Sequence, residues 1–248
     1  MGPFAMAPAG SMMHLDHFGA WRALEPTHPK TRLYVDADLT PDVPLALNTD
    51  QAHYLGHVLR LRIGDTVALF NGRDGEWRGR IDSLAKGRGH VMPEERLRAQ
   101  ENGPDLWLVF APIKRARIDF LAEKATELGV SRLVPVFTRL TAVRRVNTRR
   151  LRANAIEAAE QCGRLNVPEV AEPETLEAVI AGWPVARRLL VMDETGASPP
   201  IAAVLSAEVS SQKAEVSSQN ESAGMPPYAI LTGPEGGFSR PELDALRD

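Results

Sequence analysis

The residues with most chemical potential lie near the C-terminus, in the stretch YAILTGPEGGFSRPEL (228–243). Gly233, Gly236 and Gly237 allow a ligand to approach bare backbone. Ser239 and Glu242 have the S-x-x-E spacing of a capping box, which predicts a helix from Arg240 with Pro241 tolerated in its first turn. A phosphate cradle at such a corner would need G-x-x-x-x-G-K-[ST] or G-x-G-x-x-G, and the chain has neither. The charge of Glu235 also opposes a polyphosphate. A ligand with a cationic centre suits the loop better, and S-adenosylmethionine, with a sulfonium, an ammonium and one carboxylate, is such a ligand. A tight strand-to-helix turn that holds nothing is the other reading of the same spacing.

Basic residues form the second group. Arg60 and Arg62 follow His53 and His57; Lys114, Arg115 and Arg117 open a predicted helix that contains Lys124; RLTAVRRVNTRRLRANA holds six arginines and no acid. Net charge is −3, so a nucleic-acid site has to be a local patch. Each cluster read alone is a solvated face, whereas three together favour a phosphate-backbone partner. Cations at the start of a helix oppose its dipole, a cost that a polyanion offsets. Cys162 is the only cysteine and no histidine follows His90. Cysteine-based zinc and disulfide chemistry are excluded, no metal is expected, and a helix-end thiol is the simpler reading of Cys162.

The elements that position these residues change character along the chain. Residues 1–30 have no basic leader segment and are predicted to form a poorly ordered extension. Residues 31–99 read as short strands with turn signals at Asn71-Gly72 and Asp74-Gly75, which predicts a small β-barrel. The polar run 98–105 marks a boundary, and residues 104–248 alternate strand and helix, predicting a parallel α/β sheet. DLWLVFAPI, RLVPVF, RRLLVMD and YAILTG are the strands. One helix carries Ile118, Leu121, Ala125 and Leu128 on its expected inner face and stops at Gly129; another stops at Gly163. AEVSSQKAEVSSQN repeats a seven-residue unit without an apolar seam, so residues 206–227 are expected to be a disordered insertion. No run of 18 apolar residues occurs, no membrane association is expected, and a reducing cytoplasmic setting fits.

Four motifs in order, HYLGHVLRLRIGD, KATELGV, EAAEQCGRLNVPEV and LTGPEGGFSRPEL, resemble the RsmE family of small-subunit ribosomal RNA methyltransferases over residues 31–248. The resemblance implies a PUA-like barrel followed by a SPOUT domain with a C-terminal trefoil knot. It also implies S-adenosylmethionine as cofactor, 16S ribosomal RNA of the small subunit as partner, N3 of uracil-1498 as target, and a homodimer. Leu231, Thr232, Gly233, Pro234, Glu235, Gly236 and Gly237 are then the expected cofactor-binding residues. Arg32, Arg60, Arg62, Lys114, Lys124, Arg144, Arg145 and Arg149 are the candidate RNA contacts. Methyl transfer to N3 requires loss of its imide proton, and the sequence does not identify the residue that takes it. Family members continue with an L-G-x-R-I-L-R-x-E-T-A loop; this sequence stops at Asp248 first, so an incomplete knot and pocket are expected. FTRLTAV stands where many members have Ser-Glu-Arg, and no role is transferred there. A non-catalytic RNA-binding module is the alternative, and a nucleotide hydrolase is disfavoured by the missing Walker lysine.

Overall fold

Two units divide the chain, residues 1–99 and 100–248. The structure, a computed structural model, describes residues 13–15, 21–23, 29, 31–192, 198–207 and 227–247. Most of the N-terminal extension 1–30 and of the insertion 206–227 lies outside the described residues.

In the first unit, β1 (Met13–Leu15) and β2 (Trp21–Ala23) pair antiparallel. β3 (Arg32–Tyr34), β4 (Leu45–Leu47), β5 (Thr66–Phe70), β6 (Glu76–Ala85) and β7 (Arg88–Arg98) form a five-stranded sheet in the order β3-β5-β6-β7-β4. Only β3 and β5 are parallel neighbours. The β5–β6 hairpin closes on buried Asn71. Its side chain accepts from the backbone N–H groups of Arg73 and Asp74 and donates to the carbonyl of Ala37. Val67 and Leu69 of β5 enter a core with Leu33, Leu55, Ile81 and Val91. Phe70 meets the edge of Tyr34 at 5.6 Å and the Arg32 guanidinium at 4.3 Å. A Cβ at Gly79 would lie 2.6 Å from both Leu69 and Val91, so β6 packs this closely only without a side chain there. Between β4 and β5, α1 (Thr49–His53) starts from a reciprocal Asn48–Gln51 capping box and passes into a π-helical turn, Tyr54–Val58. The chain leaves that turn with Arg60 at φ 57°, a left-handed conformation uncommon outside glycine.

The second unit alternates β8 (Leu106–Phe110), α2 (Arg115–Glu127), β9 (Arg132–Phe137) and α3 (Thr148–Cys162). It continues through β10 (Glu169–Val170), β11 (Glu174–Thr175), α4 (Leu176–Ala181), β12 (Arg188–Met192), helical α5 (201–207), β13 (Tyr228–Thr232) and α6 (Arg240–Ala245). The main sheet runs β10-β9-β8-β13-β12 with every pairing parallel, and β11 also pairs with β9. Successive residues of β8 point to opposite faces: Leu106, Leu108 and Phe110 pack with α2 and α3, Trp107 and Val109 with α4 and α6. Apolar residues on both faces are what a parallel strand covered by two helical layers requires.

α2 buries Ala122 and Ala125, with Ile118 and Leu121 packed against them. The expected inner position of Leu128 is not realised: it is the C-cap and 80% exposed. The buried stripe centres on Ala122 and Ala125, which leaves Leu128 at its margin, one residue before the chain turns away at Gly129 (φ 99°). Arg164, just past α3, donates to the carbonyls of Thr126 and Val130 and so satisfies the end of α2. Burial lowers the Arg164 guanidinium below its usual value.

Candidate functional site

Parallel pairing brings the C-terminal ends of β8, β9 and β13 to one edge of the sheet, so the loops 111–114, 138–147 and 233–239 leave from the same side. β8 and β13 are neighbours, yet the helices after them lie on opposite faces, α2 beside Phe110 and α6 with Leu246 beside Leu231. A reversal of this kind opens a crevice at the strand ends, where α/β sheets hold ligands. The N–H of Ala111 donates to the carbonyl of Thr232 at 3.0 Å, extending the ladder to the brink of that crevice.

The Gly-rich loop stands there. Leu231, Pro234 and Gly237 are buried, Thr232 and Gly233 half-buried, and Glu235 and Gly236 exposed. The N–H of Gly237 (φ 68°) donates to the Pro234 carbonyl at 2.9 Å and closes a tight turn. Phe238 covers Gly233, where a Cβ would sit 3.0 Å from its ring. Gly236 faces Leu140 of the neighbouring loop, with 3.7 Å from an added Cβ.

Glu242 braces this arrangement. The expected capping box with Ser239 forms, and the carboxylate accepts from the Ser239 N–H at 2.8 Å and its hydroxyl at 2.7 Å. Its other oxygen accepts from the backbone N–H of Arg139 at 2.8 Å, so one buried side chain joins the loop after β13 to the loop after β9. Burial pushes the Glu242 carboxyl up, but the hydrogen bonds from Ser239 and Arg139 outweigh it and hold the group below the usual carboxylate value. The loop after β9 is also closed on itself: the hydroxyls of Thr138 and Thr141 lie 2.8 Å apart, and the Thr138 N–H donates to Thr141 Oγ1 at 3.0 Å.

Further along the same loop a cleft of about 1080 Å³ opens between the starts of α2 and α3. Ile113, Ile118, Val143, Val146 and Leu151 give it apolar walls, and Lys114, Arg144, Arg145 and Arg149 are exposed at its margins. Among the described residues none of these four cations has a carboxylate partner within ion-pair distance. Arg150 differs: its guanidinium grips Asp119 with two hydrogen bonds of 2.9 and 2.6 Å, and Asn154 donates to the same carboxylate. The hydrogen bonds from Arg150 hold the Asp119 carboxyl below its usual value against an upward push from burial, with a smaller downward contribution from Asn154.

The eight candidate cations therefore fall into three sets. Lys114, Arg144, Arg145 and Arg149 share the cleft. Arg60 and Arg62 are exposed beyond the π-helical turn of the first unit, where the rings of His53 and His57 stack at 4.9 Å. Arg32 and Lys124 are engaged by carboxylates: Arg32, with a side chain 14% exposed, lies 2.5 Å from buried Glu76, and Lys124 lies 2.8 Å from Glu123 and 2.9 Å from Glu127. The Arg139–Glu242 and Arg150–Asp119 links were not anticipated, and nothing local in the sequence signals them, since they span 103 and 31 residues. Cys162 is exposed at the end of α3. Among the described residues no group of three His, Cys, Asp or Glu could hold a metal, and no helix is long and apolar enough to cross a membrane.

The family model of an RNA methyltransferase domain matches residues 100–248, and that of an RNA methyltransferase PUA domain matches residues 47–91. The chain is 29% identical over 216 residues to ribosomal RNA small subunit methyltransferase E of Rickettsia conorii, covering 87% of this chain and 82% of that one. It is 29% identical over 218 residues to the protein of the same name from Synechocystis, covering 86% of this chain and 66% of that one. Among solved structures, a methyltransferase of Legionella pneumophila with bound SAM superposes with a TM-score of 0.72 at 24% identity, over 88% of this chain and 85% of that one. Ribosomal RNA small subunit methyltransferase E of Neisseria gonorrhoeae, bound to S-adenosyl methionine, gives 0.69 at 24% identity, over 87% and 84%. With its PUA-like sheet, its doubly covered parallel sheet and a family match across the whole second unit, the chain belongs to the RNA methyltransferase family.

Proposed function

We propose that this chain is an S-adenosylmethionine-dependent methyltransferase of 16S ribosomal RNA in the small subunit, acting on N3 of uridine 1498. The observation that carries the reading is the lysine-free Gly-rich loop at the reversal point of the parallel sheet, braced to the loop after β9 by Glu242. The names of the relatives support the ribosomal RNA, and the bound cofactor of the structural neighbours supports S-adenosylmethionine. A homodimer, a trefoil knot and a cytoplasmic setting belong to the same reading through the family resemblance.

The residues present fit the cofactor. The loop offers backbone groups and an exposed carboxylate, Glu235, and no cation that would repel a sulfonium. Leu231, Thr232, Gly233, Pro234, Glu235, Gly236 and Gly237 would hold it, and bound there it supplies an electrophilic methyl group. The chain's own contribution is positional. Phe238 against Gly233 steadies the Gly-rich loop and Glu242 against Arg139 ties it to the loop after β9, so alignment costs less at the moment of reaction. Uracil N3 has to shed a proton between two carbonyl groups, so charge developing on those oxygens favours nearby N–H donors and cations. Arg60 and Arg62 serve as phosphate contacts on the first unit.

The test uses small subunits from a strain lacking the modification, incubated with the protein and S-adenosylmethionine. Methylation at N3 blocks Watson–Crick pairing, so reverse transcription is expected to stop at the target uridine. A stop elsewhere, or a methylated base other than uridine, refutes the assigned target. RNA binding without any calorimetric cofactor signal would reduce the chain to a non-catalytic RNA-binding module.

A further inference from the structure

The cleft between the starts of α2 and α3 is separate from the Gly-rich loop, and its composition is unusual for a merely structural gap. Of the six ionisable side chains that line it among the described residues, five are cationic: Lys114, Arg144, Arg145, Arg149 and Arg150. Asp119, the one acid, is fully occupied by Arg150 and Asn154. Among the described residues the other four cations have no carboxylate within ion-pair distance, in a protein whose net charge is −3 and whose acids are plentiful elsewhere. Like charges lining one cleft repel one another, and a structure that tolerates the repulsion gains when an anion enters. The walls are apolar, so the cleft pairs a cationic rim with a surface on which a flat ring can lie. That combination matches a nucleotide of a single strand, phosphates at the rim and base against the walls. A folded protein's acidic patch would match the charges and leave the apolar walls without an occupant.

We infer that this cleft is a single-stranded RNA subsite, in which Lys114, Arg144, Arg145 and Arg149 contact consecutive phosphates and the apolar walls receive an unstacked base. The inference rests on the reading of the substrate as RNA and adds where one stretch of the strand is held. Its location gives it a purpose. Leu140, which faces the Gly-rich loop at Gly236, and Arg144 at the cleft are four residues apart on one loop, a span of at most about 14 Å. A strand seated in the cleft is thereby delivered beside the place of methyl transfer. Asp119 is a positioning residue here: by engaging Arg150 and Asn154 of α3 it holds the start of that helix against α2, with Arg149 at the cleft.

The experiment titrates a fluorescein-labelled oligouridylate against the wild type and against the paired variant Arg144→Glu/Arg145→Glu over a series of potassium chloride concentrations. Each lost phosphate contact on a single strand lowers the slope of log K against log salt by about 0.7, so the pair is expected to flatten it by about 1.4 and to weaken binding. Calorimetric S-adenosylmethionine affinity and the thermal midpoint are expected to stay at wild-type values, because among the described residues neither arginine has an ion-pair partner to lose. If the reversed pair fails to fold, Arg145→Gln/Arg149→Gln replaces it and is expected to flatten the slope by a similar amount. Unchanged slope and affinity in a folded variant overturn the cleft as an RNA site, and leave the methyltransferase reading standing if the wild type still modifies small subunits. Displacement of the strand by inorganic phosphate at constant ionic strength, with full recovery of the free-strand signal, would mean that the cleft takes free phosphate, and overturns it equally. Failure of the wild type to methylate RNA, with the slope difference intact, refutes the enzymatic reading alone.

Discussion

Glu242 shows how one side chain can serve two local structures. Replacing it with alanine leaves the Ser239 and Arg139 N–H groups without their acceptor, and the expected loss is about 1–3 kcal/mol by denaturant titration. Its pH dependence has a definite sign. The folded carboxyl titrates below its ordinary value of 4.5, so the ionised group's contribution is complete above that value and is lost as pH falls through the depressed one. The stability gap between wild type and Glu242→Gln is therefore expected to shrink on acidification below that pH; a constant gap would show that the charge contributes nothing. Arg60 makes a different prediction. Its left-handed backbone costs a side chain about 1–2 kcal/mol, whereas glycine pays only in unfolded-state entropy, about 0.5–1 kcal/mol. Arg60→Gly is expected to leave stability unchanged or raised by up to about 1 kcal/mol, and Arg60→Val, which is branched at Cβ, to lower it. A strained arginine retained at an exposed position fits a residue placed for contact rather than for packing.

At the scale of elements, two glycines resist substitution for opposite reasons. Gly163 ends α3 at φ 80° with open space around it, so Gly163→Ala suffers only backbone strain, about 1 kcal/mol. Gly79 is not among the left-handed residues but has core side chains 2.6 Å from any added Cβ, so Gly79→Ala has to displace Leu69 and Val91 at a cost of about 1–3 kcal/mol. Thermal midpoints of both variants check the order. The same contrast explains what could be read from the sequence. Helix stops at Gly129 and Gly163, the Asn71-Gly72 and Asp74-Gly75 turn and the Ser239–Glu242 cap are encoded within a few residues, and each was legible. β8 was legible as a strand too, because a short apolar run is what a parallel strand covered on both faces carries. The inward placing of Leu128 failed since a helical wheel does not know where the helix ends. The sequence showed Lys114 and Arg144–Arg149 as two separate basic clusters. What joins them is topology: α2 and α3 pack on one face of the sheet and start at the same edge, a fact spread over the whole second unit.

For the molecule as a whole, an acidic chain that binds RNA has to do so through patches, and its affinity should respond to salt as a more basic protein's would. Charge reversal at Arg60 and Arg62 is expected to weaken ribosomal RNA binding and to flatten its salt dependence by about 1.4 on a single strand. Unchanged binding would remove those two residues from the interface. The loop 138–147 has a consequence for the order of events. One of its ends is hydrogen-bonded to Glu242 beside the Gly-rich loop, and the other lines the cleft. Two ligands that share one short connector do not bind independently. By thermodynamic reciprocity, whatever factor the strand adds to cofactor affinity, the cofactor must add to strand affinity. Titrating S-adenosylmethionine with and without saturating oligouridylate, and the reverse, should give two ratios equal to each other and different from one. The connector would then act as a checkpoint, favouring the state in which donor and acceptor are both in place.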